Sequence, residues 1–329
     1  MTFLVIPLVL AAAMAIAGGA RAQQQNSSTA ATMVGPPTQT LQNADRILYR
    51  VAPQDTNPQL HRYLRNHFIL VERTTLPTAP MLLFMAGTSG GPADYMPFLI
   101  AGSKAGYRVV GLEYNDEPAV AQICQSRPDA TCSGLFREKR IFGNEVFRDI
   151  DDTPEESIVN RLVKLVQFMD AQHPGDGWGN YLVNQQPNWS RIAVSGHSQG
   201  AGMAAFIAKK YLVARVVLLS SPWDHYGQFG QLAPWIKDSS ITPPELWYGA
   251  YHKHEHEADT LKRSYKALGV PENHIRIFTL DPNLSLLTGK PDPKEDYFHS
   301  GEITTLTPRK PDGTPAYADD WAFLLGAAK

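Results

Sequence analysis

The residues best suited to chemistry are Ser195-Gly196-His197-Ser198-Gln199-Gly200. A serine hydroxyl is a weak nucleophile until it is held exposed beside a base, and G-x-S-x-G at a sharp turn can hold it so. Upstream, Arg191-Ile192-Ala193-Val194 reads as a short buried strand. Downstream, Ala201 to Lys210 is rich in Ala and Met and reads as a helix. Gly196 and Gly200 leave out Cβ atoms where strand and helix would collide, so Ser198 can occupy a strained turn. The Gln199 N–H then faces the target of the hydroxyl, as one donor to a developing oxyanion.

A serine nucleophile needs a histidine base held by a carboxylate. Where such an elbow caps a parallel sheet, the partners follow in the order acid, then histidine, with the histidine after the last strand. Of ten histidines only His299 lies in a loop beyond Thr279, within Tyr297-Phe298-His299-Ser300-Gly301. Two carboxylates compete for the acid. Glu255 follows the seventh expected strand, the commoner position, and is favoured. Asp224, in Ser220-Ser221-Pro222-Trp223-Asp224, follows the sixth and is the alternative acid. Glu257 and Asp259 lie farther from that position. The run Met81-Leu82-Leu83-Phe84-Met85-Ala86 ends in Gly87-Thr88-Ser89-Gly90-Gly91, a loop that offers the Thr88 N–H as second oxyanion donor. It does not match the G-x-x-x-x-G-K-[ST] pattern of a phosphate-cradling loop.

The remaining reactive residue types carry less. Cys124 and Cys132 are the only cysteines, close together in a Pro-, Asp- and Ser-rich loop, and are expected to form one local disulfide stabilising the fold by roughly 2–3 kcal/mol. His252, His254 and His256 alternate and would share a face of an extended segment. Three imidazoles from one strand close a tetrahedron poorly, so no metal is expected there, and the chemistry calls for no cofactor.

The elements that must position these groups alternate between strand and helix. Strands are expected at 46–51, 67–71, 81–86, 107–112, 191–194, 215–220, 246–251 and 274–279, the first as an edge strand. Helices are expected at 95–105, from Thr153 to the Pro174-Gly175 break, and at 201–210, 261–268 and 320–325. The second of these opens on a capping box from Thr153 to Glu156. Residues 115–152 read as irregular, and residues 222–245, with Trp223, Tyr226, Phe229 and Trp235, as an aromatic flap or a packed loop. The pattern predicts an α/β protein with a doubly wound, mostly parallel sheet.

A chain of 329 residues and net charge −2 gives no electrostatic case for nucleic acid or an anionic membrane. Phe3 to Ala17 is almost wholly apolar and is followed by Gly18-Gly19 and Ala20-Arg21-Ala22, which reads as a signal peptide over residues 1–22, cleaved near Ala22/Gln23. Residues 23–44 are too polar to bury and read as a disordered leader, with one domain over 45–329. The expected location is secreted or periplasmic, with no stable membrane insertion after cleavage.

With those residues placed, the chain resembles the α/β-hydrolase superfamily across about residues 45–329. The resemblance rests on Phe84-Met85-Ala86-Gly87-Thr88, Gly196-His197-Ser198-Gln199-Gly200 and the late His299. Within it, Gly87-Thr88-Ser89-Gly90, Gly111-Leu112-Glu113-Tyr114-Asn115, Trp247-Tyr248-Gly249 and Gly313-Thr314-Pro315-Ala316-Tyr317 are similar to a group of exported bacterial hydrolases. Members of the superfamily usually carry Asp as the acid. Glu255 departs from that, which keeps Asp224 open. The resemblance implies a serine carboxylic ester hydrolase acting through Ser198, His299 and an acid, on a small-molecule or polymer ester. An acyltransferase or amidase on the same triad, or a non-catalytic binding protein on the scaffold, is the alternative.

Overall fold

The computed structural model describes residues 33–228, 230–286 and 295–327. The expected signal peptide, the start of the expected leader and Phe229 lie outside the described residues.

Nine strands form one sheet: β1 Gln39–Gln42, β2 Arg46–Val51, β3 His67–Glu72, β4 Met81–Met85, β5 Arg108–Leu112, β6 Ile192–His197, β7 Arg215–Leu219, β8 Trp247–His252 and β9 Ile275–Phe278. Their order is β1-β2-β3-β5-β4-β6-β7-β8-β9. The first three strands and the β3–β5 pairing are antiparallel, and every pairing from β5 to β9 is parallel. The sequence dictates this layout through burial. All five residues of β4 and all six of β6 are buried, which suits strands covered on both faces.

Alternate side chains of β4 feed two cores. Met81, Leu83 and Met85 join one, with α2 (Cys132–Phe142), α3 (Ile158–Gln172), α4 (Gln199–Lys210) and α5 (Ala258–Leu268). Leu82 and Phe84 join the other, with α1 (Met96–Lys104) and α7 (Ala318–Leu325). Between α5 and α7 lies the short α6, Glu295–Gly301. Each fully buried aliphatic or aromatic side chain in these layers contributes roughly 1.5–3 kcal/mol. Crossovers in a parallel sheet bring the segments after β4, β6, β7, β8 and β9 to the same, carboxyl edge, and Thr88, Ser198, Asp224, Glu255 and His299 each follow one of these strands.

Three local expectations are corrected. Residues 39–42 fall in the expected leader, yet pair antiparallel with β2 and so displace it from the sheet edge. An edge strand needs only backbone hydrogen bonds, and its exposed Gln and Thr side chains leave no hydrophobic signal. Residues 115–152 are not irregular throughout, because α2 occupies 132–142 with Phe136 and Ile141 in the core. The helix expected from Thr153 starts later. Pro154–Glu156 is a 3₁₀ turn, Ser157 caps α3 by accepting from the Asn160 N–H, and Thr153 makes no side-chain cap. Glu156 is instead drawn to Arg62 and Asn115.

Candidate active site

The ladder runs one residue past the end of two neighbouring strands. Ser198 N–H donates to Leu219 O at 2.8 Å, and Ser220 N–H to Ala250 O at 2.9 Å. Ser198 and Ser220 therefore stand side by side at the carboxyl edge, pinned through their backbones. Both have positive φ, +50° with ψ −123° for Ser198 and +53° for Ser220. Such strain in a non-glycine residue costs on the order of 1–3 kcal/mol and tends to mark functional positions. Close packing explains the flanking glycines. A Cβ on Gly200 would lie 2.1 Å from Met85 O, and one on Gly196 would lie 2.4 Å from the Gly200 carbonyl carbon.

His299 lies on α6 rather than in an open loop, and its Nδ1 is 2.7 Å from Glu255 Oε2. The Glu255 carboxylate is buried in the turn after β8. Its Oε1 accepts from the His252 N–H and faces the Ser220 hydroxyl, each at 2.8 Å. With Nδ1 turned to an acceptor, Nε2 of His299 is the nitrogen left to act as base.

Asp224 lines the same pocket as Ser198 but is held by other partners than His299. Arg137 Nε and Nη2 donate to it at 2.8 and 2.6 Å, and Trp235 Nε1 at 3.0 Å, with both side chains buried. Glu257 and Asp259 sit at and just inside the start of α5.

Two further residues hold the arrangement and were not singled out in the sequence. His197, next to the serine, has Nε2 2.8 Å from the His299 carbonyl, so that nitrogen carries the hydrogen. Its Nδ1 then accepts from the Tyr95 hydroxyl at 3.1 Å. The Gly87 N–H donates to the same Tyr95 oxygen at 3.1 Å. Burial, and secondarily His299, pushes the His197 imidazole well below its ordinary pKa, so it is neutral. A chain of hydrogen bonds thus ties the glycine loop to the backbone of the histidine helix. The only sequence signal for His197 was its place inside the elbow motif.

Thr88, Ser198 and Gln199 line one pocket with Val120, Cys124 and Trp223, a small cleft open to solvent. Gln199 shapes its wall. Its Oε1 accepts from the Val120 N–H at 2.8 Å and its Nε2 donates to Asp116 O, so its side chain is occupied while its backbone N–H begins α4. The glycine loop is braced from outside by Arg65, which donates to Gly90 O at 2.7 Å.

Cys124 and Cys132 are joined as a disulfide, linking the pocket wall to the start of α2. The 222–245 segment divides. Trp223 borders the pocket, whereas Trp235 is buried against Phe206 and belongs to the core. Of the alternating histidines, His252 has both nitrogens engaged internally, Nδ1 with the His254 N–H and Nε2 with Leu280 O. Among the described residues no group of three or more His, Cys, Asp or Glu is arranged to hold a metal. None of the helices among them is long and apolar enough to cross a membrane.

No protein-family profile matches the chain, and no curated protein does. Solved structures do. A bacterial heroin esterase is 14% identical with TM-score 0.44, covering 94% of this chain and 91% of its own. An S-formylglutathione hydrolase from Agrobacterium tumefaciens is 13% identical with TM-score 0.44, covering 88% and 99%. An acetyl xylan esterase from Paenibacillus sp. R4 is 13% identical with TM-score 0.37, covering 82% and 90%. At such identities these neighbours leave the substrate open. The strand order, the parallel core and the serine elbow between β6 and α4 make this an α/β-hydrolase fold.

Proposed function

We propose that the chain is a serine carboxylic ester hydrolase with Ser198 as nucleophile, His299 as base and Glu255 as acid. The observation that carries this reading is the 2.7 Å contact between His299 Nδ1 and a buried Glu255, on the same sheet edge as a strained Ser198. Ser198 Oγ would attack the acyl carbonyl while His299 Nε2 takes its proton. The C–O bond of the ester then breaks as the imidazolium returns that proton to the leaving alcohol. Water, activated by the same imidazole, releases the acid from the acyl-enzyme. Glu255 fixes the tautomer and stabilises the transient imidazolium. The N–H groups of Thr88 and Gln199 would receive the oxyanion, each worth about 3 kcal/mol of transition-state stabilisation.

The pocket favours esters of modest size, because Val120, the Cys124 disulfide and Trp223 wall it close to Ser198. The triad residues need no cofactor. The disulfide supports an oxidising compartment, consistent with secretion or export to the periplasm after cleavage near Ala22. The test is hydrolysis of p-nitrophenyl esters of increasing acyl length. Short esters are expected to turn over fastest, and Ser198→Ala to be inactive on all of them. Equal rates for wild type and Ser198→Ala would overturn the reading.

A further inference from the structure

Beside the Glu255–His299 pair lies a second buried carboxyl group, Glu302, fully enclosed one helical turn beyond His299. Ser220 Oγ sits between the two acids, 2.8 Å from Glu255 Oε1 and 2.6 Å from Glu302 Oε1. A hydroxyl has one hydrogen, so it can donate to only one of them, and the other contact needs a hydrogen from the carboxyl side. Without that hydrogen, two oxygens carrying lone pairs would face each other at 2.6 Å.

The partners decide which acid carries it. Glu255 already accepts from the His252 N–H on Oε1 and faces His299 Nδ1 through Oε2. Both of these contacts favour an ionised acceptor. Glu302 has no such support. Its Oε2 has no hydrogen-bond partner among the described residues. The nearest basic group is His197 Nε2 at 3.8 Å, whose hydrogen is directed to the His299 carbonyl. The other titratable groups acting on it are the Tyr265 and Tyr317 phenols, both held protonated by burial. Burial and then the charge of Glu255 push the Glu302 carboxyl well above its ordinary range, in agreement with the hydrogen count. Ser220 itself is held at positive φ, so the backbone is strained to place this hydroxyl where it is.

We propose that Glu302 is a neutral carboxylic acid that donates to Ser220 Oγ, obliging the Ser220 hydroxyl to donate to Glu255 and keeping the negative charge on the carboxylate that faces His299. Glu302 is then a positioning residue, acting on the base only through Ser220 and Glu255. The assignment rests on the triad reading for its functional meaning, but the location of the proton does not.

Infrared difference spectroscopy at neutral pH separates the two. The wild-type-minus-Glu302→Gln difference is expected to show the carbonyl band of a protonated carboxyl group and the wild-type-minus-Glu255→Gln difference to lack it, while Asp116 and Glu113, which burial also pushes up, cancel in both. Absence of the band, or its appearance in the Glu255→Gln difference instead, would overturn the proposal whatever the esterase assay shows. In that assay Glu302→Gln, which keeps a neutral donor, is expected to stay within about threefold of wild type. Glu302→Leu, which removes the donor, is expected to lower kcat about tenfold with KM unchanged. Ser220→Ala probes the same bridge if the leucine variant does not fold, with the same expected loss. A Glu302→Gln loss as large as that of Glu255→Gln would place the charge on Glu302 and refute the assignment. Wild-type kinetics in both Glu302→Leu and Ser220→Ala would refute the positioning role. Failure of Ser198→Ala to abolish activity would strike the triad and leave the infrared result standing.

Discussion

Two buried carboxylates follow neighbouring strands of the same sheet edge, and their partners give them opposite characters. Asp224, after β7, is clamped by the Arg137 guanidinium and the Trp235 indole. Its charge is held bidentate against a guanidinium already in place in the resting protein. Glu255, after β8, faces an imidazole, a hydroxyl and one backbone N–H. Its charge is solvated by dipoles and remains available to a cation that forms only when His299 takes a proton. In the proposed reaction only the second arrangement strengthens as charge develops, which is what catalysis rewards. Asp224 holds the pocket wall together, and Glu255 can serve the chemistry.

The largest effect that would break this comparison is on rate. Glu255→Gln is expected to lower kcat by about 10³–10⁴ with the fold intact, as removal of a triad acid does elsewhere. Asp224→Asn should leave the activity per folded molecule within about tenfold. Its damage should appear in stability instead, a loss of about 3–5 kcal/mol in denaturant unfolding, because it leaves the Arg137 charge buried and poorly compensated. Reversal of these two outcomes would transfer the acid's role to Asp224.

A smaller effect concerns the disulfide, which anchors α2 and with it Arg137 on the Asp224 side. Replacing both cysteines by serine is expected to cost about 2–3 kcal/mol of stability. Because Cys124 lines the pocket, KM should rise more than kcat falls. The smallest effect contrasts two histidines. His67 is fully buried, and among the described residues no carboxylate pairs with it, the Glu113 N–H donating to its Nδ1. Burial, aided by Arg161, pushes its pKa down to about 3. Between that value and its ordinary 6.5 the unfolded chain binds the proton and the folded chain does not. Its contribution is therefore complete above pH 6.5 and is lost as the pH falls towards 3, at up to about 1.4 kcal/mol per pH unit. His67→Asn, which can take the same N–H, should remove that slope from the difference between variant and wild-type unfolding curves.

Much of the fold was legible because it depends on local pattern. The apolar run of β4, the strand–turn–helix about Ser198 and the helical spacing of Ile158, Leu162 and Met169 each announce themselves within a dozen residues. The position of Glu255 after the seventh expected strand sufficed to put it near His299, because the fold brings the ends of parallel strands together. Asp224, the alternative acid, differed from it in sequence only by following the sixth expected strand instead of the seventh. What separates the two is Arg137, 87 residues away on a helix that the composition of 115–152 concealed. Glu302 was hidden for a different reason. It lies three residues from His299, but its role depends on Ser220, at the far end of another strand. The polar edge strand β1 went unread because nothing in it is buried.

The central claim is that Ser198 is the nucleophile, and covalent labelling tests it most directly. The protein is treated with a fluorophosphonate, digested, and the modified peptide mapped by mass. The adduct is expected on Ser198, absent in Ser198→Ala, and slow to form in Glu255→Gln but not in Asp224→Asn. An esterase-active protein that left Ser198 unmodified, or a Ser198→Ala variant that labelled as fast as wild type, would contradict it.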